Sequence, residues 1–201
     1  FFLYVPLTSP HSPVVPNKPF QGKTNIGSYG DFVVETDWVV GQVMKAVDDA
    51  KIKDNTLFLF TTDNGAAQFS RNTKGGKTHL SSGPYRGRKR DNWEGGHRVP
   101  FIARWPGVVE PDTVSSTVLC LTDLTRTLVA AAGGEITRHD VAEDSFSFLS
   151  ALKDNAPGTT IPGNLLRREA TVHHGSSGEF AIRVGDWVYL HHQGSGGNNY
   201  P

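Results

Sequence analysis

Several things are scarce in this sequence, and each scarcity excludes something. A single cysteine, Cys120, rules out an internal disulfide, so cysteine usage assigns no redox compartment. Charge of one sign is not in excess: 20 Lys and Arg stand against 20 Asp and Glu. That balance argues against a general nucleic-acid or membrane-surface binder, while leaving room for local patches. No apolar run approaches the roughly 18 residues of a membrane-spanning helix. Disorder and collagen-like repeats do not fit 37% apolar residues with 22 glycines in no fixed period. The 201 residues allow one large domain or slightly more, enough to bury roughly two-thirds of the unfolded surface without staples.

What is present reads as alternating elements. Phe1-Phe2-Leu3-Tyr4-Val5 is a strand-like apolar run without the charged start of a signal peptide. A chain opening inside a buried strand is expected to be the back part of something longer. The prolines at 6, 10, 13, 16 and 19 exclude a helix in the loop that follows. From about Tyr29 to Ala50 the spacing predicts a helix, with Val33, Val40, Val43, Met44 and Val47 on one face and Glu35, Gln42, Lys45 and Asp49 elsewhere. Thr56–Thr61 reads as a buried strand, so the first 60 or so residues predict a βαβ unit in a parallel sheet.

Residues 65 to 96 show no apolar periodicity, and structureless stretches of that length are usually functional or disordered. Val99–Arg104 resumes as a strand. Thr122 or Asp123 is expected to cap a helix through about Ala132, closed by Gly133-Gly134. A short helix is expected near Phe146–Leu152, and a boundary near Pro157–Gly163. Ala170–His174, Glu179–Val184 and Trp187–His192 read as short strands, the last two a hairpin turning at Gly185-Asp186. The fold class is therefore α/β, a mixed sheet covered by helices over residues 1–160, then a small antiparallel subdomain over 161–201.

Ligands of open α/β sheets bind beyond the carboxyl ends of the strands. Two polar clusters fall there: His11 after Phe1–Val5, and Asp63-Asn64 after Thr56–Thr61. Asp63 and Asn64 carry hard oxygen donors suited to Ca²⁺ or Mg²⁺, too few for either alone; alternatively, Asn64-Gly65 is a tight turn. Arg86, Arg88, Lys89 and Arg90 place four cations in five residues, with Lys74 and Lys77 upstream. That stretch is a solvated basic loop, a sulfate or phosphate site, or a polyanion-binding patch. His79, His97, His173-His174 and His191-His192 lack zinc-ligand spacing and read as surface or substrate-edge residues.

In this order the segments resemble the type I sulfatases, the arylsulfatase family of the alkaline phosphatase superfamily. Phe1–Val5 with Pro10-His11-Ser12-Pro13 is similar to the family's strand and histidine loop. Thr61-Thr62-Asp63-Asn64-Gly65 is similar to its metal-binding segment. Gly83-Pro84-Tyr85-Arg86-Gly87-Arg88-Lys89, then Trp93-Glu94-Gly95-Gly96-His97-Arg98-Val99-Pro100 and Arg104-Trp105-Pro106-Gly107, is similar to its lysine and EGG-x-R-x-P…WPG signature. Thr122–Leu128 fits the helix that follows, and Ser177–Trp187 resembles the strands of the small C-terminal subdomain.

The resemblance implies an alkaline-phosphatase-like fold and hydrolysis of a sulfate ester. It implies Asp63 and Asn64 as Ca²⁺ ligands, with Mg²⁺ the lesser alternative. It implies His11 and Lys89 as catalytic residues contacting the sulfate group and the leaving oxygen. The family's nucleophile is a formylglycine made from Cys or Ser in C/S-x-P-x-R, hydrated to a geminal diol, and it belongs to the half expected before Phe1. Ser82-Gly83-Pro84-Tyr85-Arg86 matches that pattern literally but lacks its downstream continuation, and is read as a chance match. Arg88, Arg90 and Asp91 stand where many relatives carry small residues, and His97 where they carry an apolar one. Arg86, Arg88, Arg90 and His97 are accordingly expected to bind substrate, with Arg88 or Arg90 reading further negative charge. The expected partners are a sulfated small molecule or glycan and the chain's own N-terminal half, with neither nucleic acid nor membrane; the expected location is exported, whether periplasmic, extracellular or lysosomal. The alternatives are a non-catalytic polyanion-binding fragment and a phosphodiesterase or phosphonate hydrolase of the same superfamily.

Overall fold

Residues 1–67, 79–153, 160–161 and 168–198 are described in a computed structural model of the chain. They divide into two compact units: Phe1–Lys53 with Thr62–Val99, and Asp54–Thr61 with Pro100–Pro201.

The first unit is built on helix α1, Ser28–Asp49. Asp31 in its first turn complements the helix dipole, and the helix stops where Lys51 turns to φ 58°. The expected apolar face is half right. Val40, Val43, Met44 and Val47 are half-buried, whereas Val33 is exposed. The fully buried positions are Gly30, Asp31 and Glu35. Asp31 and Glu35 lie one turn apart, on the same side of the helix, and both grip the loop before it. The Asp31 carboxylate accepts the Gly22 N–H at 2.7 Å, the Thr24 N–H at 2.8 Å and the Thr24 hydroxyl at 3.0 Å. The Glu35 carboxylate accepts the Asn17 N–H at 2.9 Å and the Asn17 side-chain amide. Phe20, in the 3-10 turn Lys18–Phe20, meets Trp38 edge-on at 5.6 Å.

Phe1–Val5 is not a strand. It is irregular and its side chains are exposed, from 97% at Phe1 to 45% at Val5. An extended apolar run becomes a strand only when a neighbour takes up its backbone N–H and C=O groups, and no strand pairs with this run among the described residues. The βαβ reading falls with it.

In the second unit, β1 (Phe58–Thr61) pairs antiparallel with β2 (Phe101–Arg104), Leu59 opposite Ala103. Between them in sequence lies the four-residue helix α2, Glu94–His97, in the first unit. β3 (Val114–Ser115) precedes a 3-10 turn, Leu121–Asp123, which runs into α3, Leu124–Ala131, ending before Gly133 at φ 80°. α4 is Leu149–Lys153, and β4, Thr160–Ile161, pairs parallel with β3. The core joins Phe148, Ala151 and Leu152 to Leu57, Phe101, Ala103, Leu119 and Leu124, with Phe101 edge-on to Phe148 at 5.4 Å. The three expected C-terminal strands form one antiparallel sheet: β5 (Thr171–His174), β6 (Phe180–Val184) and β7 (Trp187–Leu190). Gly185, at φ 54°, turns its hairpin. Among the described residues no helix is long and apolar enough to cross a membrane.

A buried carboxylate also organises the second unit. Asp123 is fully buried, and it reaches back to the Cys120 N–H at 2.8 Å rather than forward into α3 as a simple cap would. Its other oxygen accepts the Phe146 N–H at 2.8 Å and pairs with the Arg168 guanidinium, which lies over the Phe146 ring. Thr127, one turn on, donates to the Asp123 carbonyl oxygen at 2.7 Å and accepts the Phe148 N–H at 3.0 Å.

Two outcomes follow. Asp123→Ala strands Arg168 and two amides, and is expected to lower unfolding free energy by about 3–5 kcal/mol in urea titrations; a loss under about 1 kcal/mol would show that the pair holds nothing. The hydrogen bonds from Gly22 and then Thr24 hold the Asp31 carboxyl below its usual pKa despite the opposing cost of burial. A depressed carboxyl stabilises the fold above the ordinary carboxylate pKa and loses that contribution as pH falls through the folded-state value. Asp31→Asn is therefore expected to be less stable than the parent at neutral pH, with the gap closing in thermal melts below about pH 4.

Candidate functional site

Chain connectivity carries β1 directly into Thr62-Asp63-Asn64-Gly65. The Thr62 hydroxyl donates to the Asn64 carbonyl oxygen at 3.1 Å, closing the turn without the Asp63 carboxylate or the Asn64 amide. Asp63 is exposed and Asn64 half-buried. Their side-chain oxygens are the hard donors a Ca²⁺ or Mg²⁺ ion takes, and they fit as part of a coordination shell. Among the described residues no group of three or more His, Cys, Asp or Glu could hold a metal, so further ligands have to come from elsewhere.

This segment is sewn to the basic loop by backbone bonds. The Gly65 N–H donates to the Gly96 carbonyl oxygen at 2.9 Å, and the Lys89 N–H to the Ala66 carbonyl oxygen at 2.9 Å. Within the basic loop, Gly95 N–H bonds to Arg86 C=O at 2.8 Å and Asp91 N–H to Arg88 C=O at 3.0 Å. Asp91 is buried, and its carboxylate accepts the Arg88 N–H at 2.9 Å.

Backbone approaches this closely only where side chains are missing. A Cβ on Gly65 would stand 1.9 Å from the Gly95 carbonyl oxygen; on Gly95, 2.3 Å from that of Gly87; on Gly96, 2.1 Å from that of Asp91. Gly65 thus lets the turn after β1 close onto Gly95-Gly96, and Gly95 and Gly96 in turn let their helix close onto the Arg86–Asp91 segment.

The predicted site residues divide accordingly. Asp63, Asn64 and Lys89 are brought onto one knot of backbone. The bonds that place His11 run instead to α1: Ser9 is joined to Thr36 by a 2.9 Å hydroxyl pair, Asn17 to Glu35, and the His11 N–H bonds to Thr8 C=O at 3.0 Å. The His11 ring is exposed, with Nδ1 2.9 Å from the Ser12 carbonyl oxygen. The Arg86 guanidinium lies 3.6 Å over the Trp93 ring, a cation–π contact. His97 puts Nε2 3.1 Å from the Asn92 carbonyl oxygen. Arg88 is half-buried and Arg90 exposed. Lys74 and Lys77 lie outside the described residues.

Two residues of this site went unrecognised in the sequence. Asp91 fastens the turn that carries Lys89, and Arg98 ties Tyr85, at 4.7 Å from its ring, to Glu94, at 3.1 Å. Their signal was the alternation of acid and base across Arg88–Arg98, legible only once the glycines are known to fold the segment on itself.

The sulfatase family model, described as Sulfatase, matches residues 1–134. An N-acetylgalactosamine-6-O-sulfatase of Bacteroides thetaiotaomicron is 32% identical over 197 residues, covering 94% of this chain and 36% of that protein. Human N-acetylgalactosamine-6-sulfatase is 41% identical over 133 residues, 66% of this chain and 25% of its own length. A solved structure from work on glycosaminoglycan metabolism by Bacteroides thetaiotaomicron superposes with a TM-score of 0.76 at 31% identity, over 92% of this chain and 37% of that one. A sulfatase from Pseudoalteromonas sp. shares the fold, with a TM-score of 0.71 at 23% identity over 94% of this chain and 39% of that one. The chain thus spans between a quarter and two-fifths of the length of these relatives. The expected alkaline-phosphatase-like α/β class, with a small antiparallel sheet at its end, is the one these structures share.

Gly65→Ala is expected to cost about 1–3 kcal/mol through forced displacement of the Gly95 carbonyl. The expected readout is a lower Tm, with an exposed control such as Gly41→Ala, whose Cβ meets nothing within 4 Å, causing no comparable loss.

Proposed function

The chain belongs to the sulfatase family, and from that we propose that it supplies the lysine, histidine and part of the metal shell of a sulfuric ester hydrolase. The observation that carries this is the Lys89 N–H to Ala66 C=O bond, which fastens the lysine turn to the segment bearing Asp63 and Asn64. Asp63 and Asn64 would contribute two oxygens to a Ca²⁺ ion, Mg²⁺ being the lesser alternative. A cation held there would offset charge on the sulfuryl oxygens, and a formylglycine of the family's kind would supply the attacking hydroxyl.

The chain's own residues do the rest. The Lys89 ammonium, three donors and a full charge on a fastened turn, binds the sulfate group and opposes charge on the leaving oxygen without reorganising. His11 reaches the same group from a loop stiffened by its prolines and held to α1 at Ser9 and Asn17. Arg86, Arg88, Arg90 and His97 line the approach; the Arg86 guanidinium is already committed to Trp93, which leaves it a positioning part in that lining.

A sulfated glycan or small molecule is the substrate class, supported by relatives named for N-acetylgalactosamine 6-sulfate and by the glycosaminoglycan context of the structural neighbour. Residues 1–160 would form part of the α/β catalytic domain and 161–201 the start of a small subdomain. An exported location is proposed on family likeness alone.

The test is Lys89→Ala in the natural full-length protein, assayed on an aryl sulfate. Loss of one preorganised charged donor is expected to lower kcat about 100- to 1,000-fold. Turnover of a phosphate ester in preference to the sulfate would move the chemistry to a phosphoesterase. Salt-sensitive polyanion binding with no turnover would leave only a binding module.

A further inference from the structure

Lys89 and Arg90 are the two central residues of a turn closed by the 3.0 Å bond from Asp91 N–H to Arg88 C=O. Arg90 sits there at φ 86°. Turns with positive φ at this third position normally place glycine or asparagine in it, because a Cβ is crowded. Among the described residues three other non-glycine residues have positive φ, but Lys51, Asp112 and Ala142 lie at 52–59°, in the ordinary left-handed basin. Arg90 lies beyond it.

The turn is also pinned from both sides. The Lys89 N–H holds Ala66, and the Asp91 carboxylate holds the Arg88 N–H. Neighbouring glycines at 87, 95 and 96 show that this loop takes glycine wherever backbone geometry demands it. A long cationic side chain instead occupies the position where glycine would relieve strain. The Arg90 side chain is exposed, and among the described residues no acceptor, ring or carboxylate engages it. Arg86, by contrast, is spent on Trp93. Strain retained at one residue, with nothing in the fold drawing on its side chain, points outward to a ligand.

We propose that Arg90 is a specificity residue that pairs with a second anionic group of the substrate, a sulfate or carboxylate next to the ester held at Lys89. This rests on the sulfatase reading above. Consecutive Cα atoms are about 3.8 Å apart, so the two cations rise from adjacent points on the turn, and one substrate carrying two neighbouring negative groups can engage both. The guanidinium fork suits either anion, because both present paired oxygens. The substrate class narrows accordingly to glycans bearing more than one negative charge per repeating unit.

The experiment uses the natural full-length protein with three disaccharides: one carrying a single sulfate, one with a neighbouring second sulfate, and one with a neighbouring uronate. Arg90→Gly suits the turn, so its Tm is expected to equal or exceed that of the parent. It is expected to raise KM for the matching doubly charged substrate on the order of ten-fold more than for the singly sulfated one. Arg90→Lys should restore part of the difference. Which of the two doubly charged sugars responds separates sulfate from carboxylate. Calorimetric binding of the same sugars gives a readout independent of turnover. If the parent binds doubly charged sugars more tightly and Arg90→Gly erases the difference while no sulfate is released, the sulfatase reading fails and anion recognition by Arg90 stands. An equal change for all three sugars, in KM or in binding, overturns the proposal.

Discussion

Everything at the candidate site depends on one approach of backbone to backbone. The turn after β1 and the Glu94–His97 helix touch through Gly65 and Gly95-Gly96, at a separation no side chain allows. That contact lets the Gly65 amide reach the Gly96 carbonyl, and beside it the Lys89 amide reaches Ala66. The lysine is thereby tied, through its main chain, to the segment carrying the metal-type donors. Main-chain ties have no rotamers to lose, so they set position at less entropic cost than a pair of long side chains would.

Within each unit taken by itself, buried carboxylates act as fasteners. Asp31 and Glu35 grip residues 17–24 from one side of α1, and Asp123 gathers Cys120, Phe146 and Arg168. In each case a carboxylate accepts backbone N–H groups of irregular chain that no helix or strand satisfies. Burying a charge is tolerable because several short bonds share it. The consequence for the site is indirect but physical: the loop bearing His11 is anchored at Ser9 and Asn17, on either side of the histidine, by α1.

The sequence was most readable where structure is local. The hairpin of β6 and β7 is legible from two short strand-like runs around Gly185-Asp186, and α3 from a capping residue and Gly133-Gly134. Phe1–Val5 departs from the expected strand, because an apolar run reports what a strand needs and not whether a partner is there. In α1 Glu35 falls off the expected apolar face, yet it and Asp31 are the helix's most buried side chains. Periodicity cannot distinguish a carboxylate facing water from one facing unsatisfied amides. At the candidate site, the residues proposed for chemistry stand out as types: Asp63 and Asn64 as oxygen donors, Lys89 among its cations. The cage that positions them does not, because it joins residues 65 and 96 through groups that every amino acid shares. Only the clustering of glycines hinted at it.

Placing four cations in five residues would ordinarily favour a spread, solvated loop, since like charges repel and long side chains resist ordering. Here several partners restrain the loop. Trp93 covers the Arg86 guanidinium, Asp91 sits buried beneath the turn, and Glu94 is paired with Arg98. These partners fix the backbone of the loop while leaving its tip, Lys89-Arg90, at the head of a pinned turn. Charge held ready in a fixed place is what stabilising an anionic transition state requires, since no free energy is then spent arranging it during the reaction. The loop's composition describes a polyelectrolyte; its bonding holds it to one backbone path.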